Sequence, residues 1–372
     1  MIIYWYLLLY CIIIEVIRRF YTTKKRNLSL LIGGLIIGAI GALLVYFGNP
    51  GNMGICVACF WRDVAGAVGL HKAPVVQYLR PEILGFVIGA LIASTLGKDF
   101  KSRGGSSPAL RFILGFFLMI GALIFLGCPL RMLLRIGGGD MNAVVGLLGY
   151  VAGILVGIVF LKKGFSLGRA HKQSKLGGYV MPAISVALLI LLLVRPDFIA
   201  FSEEGPGSKH APIIISLAAG LIVGAILQRT RLCTAAGFRD AVLIKDYSPL
   251  LGLCGVVVGA LVLNLVLGQF HFGFEGQPVA HTNHLWNFLG MTLVGICSCL
   301  LGGCPIRQTI LSGEGDQDAA VVVLGLIVGA AFAHNFGLAS SGKGVTPNGM
   351  IAGIIGLVVV VLIGLLCRRE RA

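Results

Sequence analysis

The stretch GCPLRMLLRIGGGD, residues 127–140, returns later in the chain as GCPIRQTILSGEGD, residues 303–316, with seven of fourteen positions identical. A second pair behaves in the same way, because CVACFWRD, residues 56–63, aligns without gaps with CTAAGFRD, residues 233–240. The first cysteines of the two motifs lie 72 residues apart in the first copy and 71 in the second. This agreement in order, spacing and residue type indicates an internal duplication.

The residues between the motifs place the chain in a membrane. The 372 residues are 57% hydrophobic and only 12% charged, whereas soluble domains carry about 25% charged residues. Apolar runs such as residues 30–47 and 186–194 recur, and a spanning helix needs roughly 20 largely apolar residues. The composition therefore predicts an all-α polytopic membrane protein.

Eleven spans are expected, and the basic residues orient them. Most Lys and Arg of the connecting loops fall at 17–27, 97–111, 162–175 and after Cys367. Positive loops stay on the cytoplasmic side, which predicts an outside N-terminus and a cytoplasmic C-terminus. The expected spans are 2–18, 29–47, 79–97, 109–127, 142–161, 178–194, 211–227, 249–268, 285–302, 319–338 and 349–367.

The net charge of +15 follows this positive-inside pattern and does not indicate nucleic acid. The ten cysteines lack the spacing of a secreted disulfide framework. The histidines His271, His281 and His284 with Glu275 lack tight ligand spacing, so no metal site is expected. No phosphate-binding glycine loop is present, and we expect no cofactor and no enzymatic activity.

Four segments are too short or too polar to cross the membrane: 49–77, 128–141, 228–247 and 303–317. They are interpreted as re-entrant or broken helices, since irregular backbone at membrane depth requires surrounding protein or a water-filled cavity. The alternative is that they are ordinary surface loops.

The duplication divides the chain into an extra N-terminal helix (1–27), a first repeat (28–195) and a second repeat (205–368). Each repeat holds five spans, and an odd number predicts that the second copy enters the membrane inverted. Such inverted repeats are typical of transporters whose broken helices meet near the midplane.

Four repeated cysteines are the main candidate site residues: Cys56, Cys128, Cys233 and Cys304. In the GCP motif, proline suits the first position of a helix, which puts the cysteine at the helix N-cap. Unpaired N–H groups there favour an anion, and a thiol donates a weak hydrogen bond. The alternative is a cysteine that serves as a small apolar residue.

The charged residues of the motifs are supporting candidates. Arg131 and Arg307 follow the GCP cysteines by three residues and are the better anion ligands. The pairs Arg62–Asp63 and Arg239–Asp240 are either structural ion pairs or substrate contacts. Two further residues have subordinate roles: Asp140 and Asp316 are expected to cap the next span.

The motifs CVACFWRD and FLGCPLRMLLRIGGGD, with the basic GGSSP and KKGFSLGR loops, resemble the YeeE/YedE family of thiosulfate-uptake-like membrane proteins. Within that family the chain is most similar to the YedE-type proteins associated with selenium metabolism. The resemblance implies an hourglass importer of the bacterial inner membrane, in which a small sulfur oxyanion passes along thiols, here Cys56, Cys128, Cys233 and Cys304. Cys59 departs from the pattern, since its counterpart is Ala236, and is treated as accessory.

The leading hypothesis is an importer of a small selenium or sulfur anion, embedded in the lipid bilayer. A soluble cytoplasmic sulfur- or selenium-transfer protein is an expected partner by family analogy. One alternative is a membrane thiol redox or sulfur-carrier protein that uses Cys56 and Cys59 as a dithiol. Another is a soft-metal transporter, which the basic residues and helix N-termini disfavour.

Overall fold

The computed structural model describes residues 2–367, with side chains from residue 24 onward. It is an all-α membrane fold with one two-stranded ribbon, β1 (Arg103–Gly104) paired with β2 (His171–Lys172). The helices are α1 (Ile2–Tyr46), α2 (Val57–Ala67), α3 (Pro81–Leu96), α4 (Pro108–Phe125), α5 (Pro129–Gly137), α6 (Met141–Lys162), α7 (Lys175–Val194), α8 (Gly205–Ser208), α9 (Ile213–Thr230), α10 (Thr234–Leu243), α11 (Ser248–Val266), α12 (His284–Leu300), α13 (Pro305–Gly313), α14 (Gln317–Asn335) and α15 (Pro347–Leu366).

Most of the expected spans coincide with helices. Within residues 24–367, nine helical segments are long and apolar enough to cross a membrane, and α3 is a shorter apolar helix. The chain is therefore an all-α, multi-pass membrane protein. The side chains of the expected first span, 2–18, lie outside the described residues, as does the tail 368–372.

The expected cytoplasmic loop 17–27 is part of α1, which is a single helix of 45 residues. At 1.5 Å per residue that helix is about 68 Å long, about twice the hydrocarbon thickness of a bilayer. Residues 17–27 hold neither glycine nor proline. The charges of residues 17–27 forbid burial in lipid, which is why a loop was expected there. Charge alone does not break a helix, so the helix continues.

The two halves contain the same series of helices. Helices α1 to α7 and α9 to α15 each run long, short, long, long, short, long, long, and the four-residue helix α8 lies between them. The packing is reciprocal: α1 packs on α11 while α3 packs on α9, and α6 packs on α12 while α4 packs on α14. These contacts join one half to the other rather than closing each half on itself.

Helices α1 and α9, which occupy equivalent places in the two halves, run in opposite directions where they meet. Residues 29–36 of α1 lie beside 225–230 of α9, and residues 40–47 lie beside 214–222. Small residues also allow α1 to pack closely on α11, since a Cβ at Gly38 would overlap the Val256 carbonyl. Small residues have the same role in other membrane helix pairs. The cross-half contacts hold the short helices in the interior.

The four non-spanning segments contain the short helices α2, α5, α10 and α13. Every residue of α2 is buried, and so are most residues of α5 and α13. Helix α10 is more exposed and buries chiefly its first turn. The surface-loop alternative is therefore wrong for α2, α5 and α13, which are interior helices.

Candidate functional site

The first thiol cluster consists of Cys56, Cys59 and Cys128, all of them buried. Cys56 is the N-cap of α2, in extended backbone, and its Sγ accepts a hydrogen bond from the Cys59 amide at 3.3 Å. The Sγ atoms of Cys56 and Cys59 are 2.9 Å apart. Cys128 is the N-cap of α5, with Pro129 in the first helical turn, and its thiol is a neighbour of Cys56. Two helix N-termini thus meet at three thiols.

Arg131 places a positive charge on the first thiol cluster. It is fully buried, and its Nη1 donates to Cys59 Sγ at 3.1 Å. Its other donors reach main-chain carbonyls, Asn52 at 2.6 Å and Val279 at 2.9 Å. Among the described residues no carboxylate pairs with Arg131. An uncompensated buried charge is costly, so this site is suited to an anion.

A cavity of about 260 Å³ adjoins the first thiol cluster through Asn52, whose side chain lines it and whose carbonyl accepts from Arg131. The rest of its lining includes Gly54, Leu134, His271 and Gln277. The cavity extends from the 268–280 loop towards the start of α2. Asn52 is therefore a shared neighbour of the cavity and of Arg131.

The second thiol cluster consists of Cys233 and Cys304, which are also buried. Cys233 is the N-cap of α10 and Cys304 the N-cap of α13, followed by Pro305. Their Sγ atoms are 3.4 Å apart, and the Cys304 amide donates to Cys233 Sγ at 3.4 Å. The repeat-matched cysteines therefore occur as two pairs, each formed by two short helices.

Buried hydroxyls accompany the second thiol cluster. The hydroxyl of Tyr150, on α6 of the first half, lies 3.2 Å from Thr234 Oγ1. Thr234 directly follows Cys233 and contacts Cys304. Sequence comparison of the repeats could not find Tyr150, because its counterpart is Leu326.

The first Arg–Asp pair belongs to a buried charge network. Asp63 accepts from Arg62 Nη2 and from Arg80 Nε, each at 2.7 Å. Arg80 also donates to the carbonyls of Pro206 and Lys209. These contacts anchor α2 to α3 and to the connection between the halves, which favours the structural reading of this pair. Sequence reasoning missed Arg80, which has no counterpart in the second repeat.

The second Arg–Asp pair, Arg239 and Asp240, is more exposed to solvent than the first. Arg239 Nε donates to Asp240 at 2.8 Å, and both side chains are 21% exposed. Arg239 also donates to the Gly302 carbonyl at 3.4 Å, two residues before Cys304. This pair lies at the edge of the second thiol cluster rather than in the interior.

Arg307, unlike Arg131, has a carboxylate partner, since its Nη1 is 3.0 Å from Glu314. Both line a polar cavity of about 160 Å³. The cavity also holds two further arginines, Arg103 and Arg231. It lies on the cationic side of the fold predicted to be cytoplasmic.

Asp140 and Asp316 cap helices as expected. Asp140 accepts from the Asn142 amide at 2.9 Å, and Asp316 accepts from the Ala319 amide at 3.0 Å. Each also pairs with an arginine, Arg135 and Arg103 respectively, at 2.7 Å. Their role is to fix the junction between a short helix and the following span.

No protein-family model matches the chain. A similar curated protein is the thiosulfate transporter TsuA of Spirochaeta thermophila, which is 32% identical over 101 residues. The match covers 27% of this chain and 29% of the length of that transporter. This partial similarity agrees with the resemblance to the YeeE/YedE family.

Proposed function

We propose that this chain imports a small sulfur-containing anion, with the first and second thiol clusters as successive stations on one path. The observation that carries the proposal is the buried guanidinium of Arg131, held against Cys59 at 3.1 Å beside two helix N-termini. Such N-termini bind anions through free N–H groups and the helix dipole. The similarity to a thiosulfate transporter gives the anion its chemical class.

The path runs past Cys56 and Cys128 and then past Cys233 and Cys304. A thiol donates a weak hydrogen bond, and sulfur or selenium on the substrate is a soft acceptor. Four N-cap thiols thus offer contacts that are favourable for entry and weak enough for release. Selenium anions of the same size and charge are candidate substrates as well.

The two halves are, in this proposal, inverted repeats. The opposite directions of α1 and α9 at their contact and the reciprocal packing of the long helices support it. The first cluster then faces outward and the second faces inward, in an inner membrane with the C-terminus in the cytoplasm. A soluble transfer protein that accepts the anion would act at the inner side.

Uptake of labelled thiosulfate tests the proposal in cells that lack other sulfur importers. Expression of the chain is expected to raise uptake well above an empty-vector control, and excess unlabelled selenite is expected to compete if selenium anions share the path. Sulfate, whose sulfur has no lone pair and bears only hard oxygens, is the matched control and is expected to leave uptake unchanged. Uptake equal to the empty vector would overturn the proposal.

A membrane dithiol redox protein is the second candidate, because Cys56 and Cys59 lie with their Sγ atoms 2.9 Å apart. That function requires cycling between dithiol and disulfide with an external electron donor or acceptor. Thiol trapping of the wild-type chain before and after thiosulfate addition separates the two. A substrate-dependent change in the trapped fraction supports redox chemistry, and an unchanged fraction during active uptake supports transport.

A further inference from the structure

The second thiol cluster carries three buried hydroxyls that the first lacks. Tyr150, Thr234 and Ser298 are each at most 1% exposed. They come from three helices of both halves: α6, α10 and α12. The hydroxyl of Tyr150 lies 3.2 Å from that of Thr234, and Cys233 and Cys304 are neighbours of Tyr150.

One of these hydroxyls makes no well-formed hydrogen bond. Within the described part of the chain, Ser298 Oγ is buried and has no partner at normal hydrogen-bond geometry, although the Tyr150 hydroxyl lies within reach of it. Leaving a buried hydroxyl unpaired costs about 1–3 kcal/mol. A ligand oxygen at this position would remove that cost.

The repeat shows that this chemistry is specific to one half. The equivalents of Thr234, Ser298 and Tyr150 in the other half are Val57, Ala122 and Leu326. All three hydroxyl positions are therefore apolar around the first thiol cluster. Conversely, the first cluster has a third thiol, Cys59, where the second has Ala236.

We propose that Tyr150, Thr234 and Ser298 form an oxygen-binding half-site that makes the second thiol cluster selective for anions bearing both oxygen and a soft sulfur or selenium atom. The inference rests on the proposed function and extends it. At the first cluster the charge of Arg131 and the thiols accept any small soft anion. At the second, Cys233 and Cys304 contact the soft atom while the hydroxyls donate to the oxygens.

This arrangement separates thiosulfate-like anions from hydrosulfide, which has no oxygen. A site built to donate hydrogen bonds rejects a ligand that lacks the acceptor, because its polar groups stay unpaired. Hydrosulfide therefore reaches the first cluster and competes there, but gains nothing from the hydroxyls of the second.

The test is uptake of labelled thiosulfate by Tyr150→Phe, Thr234→Val and Ser298→Ala, with inhibition by hydrosulfide measured in parallel. Loss of one hydrogen bond to a charged ligand costs about 1.5–3 kcal/mol, so the half-saturating thiosulfate concentration is expected to rise roughly 10- to 100-fold. Inhibition by hydrosulfide is expected to stay as in the wild type. Thr234→Ser keeps the hydroxyl and, unlike Thr234→Val, is expected to take up thiosulfate with the half-saturating concentration of the wild type.

Tyr78→Phe is the matched control, since Tyr78 is a buried tyrosine on the connection before α3. It is expected to behave as the wild type, and membrane abundance is measured for each variant. Wild-type half-saturation in Tyr150→Phe and Thr234→Val would overturn this inference while leaving the transport proposal intact. Equal loss of thiosulfate uptake and hydrosulfide inhibition would also overturn it. Failure of the wild type itself to take up thiosulfate would remove the transport proposal and this inference together.

Discussion

The guanidinium of Arg131 donates to the thiol of Cys59 at 3.1 Å and is fully buried. Its remaining donors bind main-chain carbonyls. Its repeat partner, Arg307, is instead paired with Glu314 at 3.0 Å. The arginine of the GCP-x-R motif is therefore paired with a carboxylate in the second half and, among the described residues, with none in the first.

Replacing Arg131 is expected to weaken thiosulfate binding more than replacing Arg307 does. Arg131→Gln removes the charge, and the loss of a charge-assisted contact of about 1.5–3 kcal/mol corresponds to a roughly 10- to 100-fold rise in half-saturating thiosulfate. Arg131→Lys keeps the charge but not the fork of donors. Its half-saturating thiosulfate concentration is expected to lie between those of the wild type and Arg131→Gln. Arg307→Gln is the control, and an effect as large as that of Arg131→Gln would contradict the assigned asymmetry.

Replacing Cys59 is expected to reduce uptake without abolishing it. Cys59→Ala removes a neutral thiol from Arg131, and a bond of about 0.5–1.5 kcal/mol corresponds to a roughly two- to tenfold effect on the initial rate. The measurement is labelled-thiosulfate uptake, normalised to protein in the membrane. Complete loss of uptake in Cys59→Ala, with normal insertion, would instead support the dithiol redox function.

The ion network of α2 is expected to serve stability. Asp63→Asn leaves the buried Arg62 and Arg80 without their carboxylate, and breaking a buried pair in this way costs about 3–5 kcal/mol. The melting temperature in detergent is expected to fall clearly. Asp240→Asn is the matched change at the equivalent, partly exposed pair, for which about 1 kcal/mol or less is expected. Equal melting temperatures for both variants would contradict this role.

Membrane topology tests the inverted repeat directly. Lys172 precedes α7 and Lys343 precedes the equivalent α15, so inversion puts them on opposite sides. In a Cys254→Ala background, Lys343→Cys is expected to react with an impermeant maleimide in intact cells, and Lys172→Cys only after permeabilisation. The Cys254→Ala parent, which carries neither introduced cysteine, is the control. Labelling of both from the same side would exclude inversion.

The sequence predicts much of this fold because its signals are local. Apolar runs fix the long helices, and proline after Cys128 and Cys304 fixes the starts of α5 and α13. The repeat led to the four thiols that the structure brings together in two pairs. The continuous α1 was missed because positive charge suggests a loop without preventing a helix.

Residues that lack a repeat partner could not be found in this way. Arg80 and Tyr150 act on the other elements only through tertiary contacts between helices distant in sequence. The proximity of Cys59 to Arg131 also depends on how α2 and α5 cross. Such placements follow from packing, which a pattern of residue types does not encode.

If the anion passes along the N-cap thiols, its uptake requires Cys304, and the Cys304→Ala variant shows whether it does. The control is Cys254→Ala, which changes an exposed cysteine outside both thiol clusters. With equal amounts of protein in the membrane, Cys254→Ala is expected to take up labelled thiosulfate at the wild-type rate, and Cys304→Ala is expected to fall to the empty-vector level. Wild-type uptake by Cys304→Ala would show that the anion does not pass along these thiols.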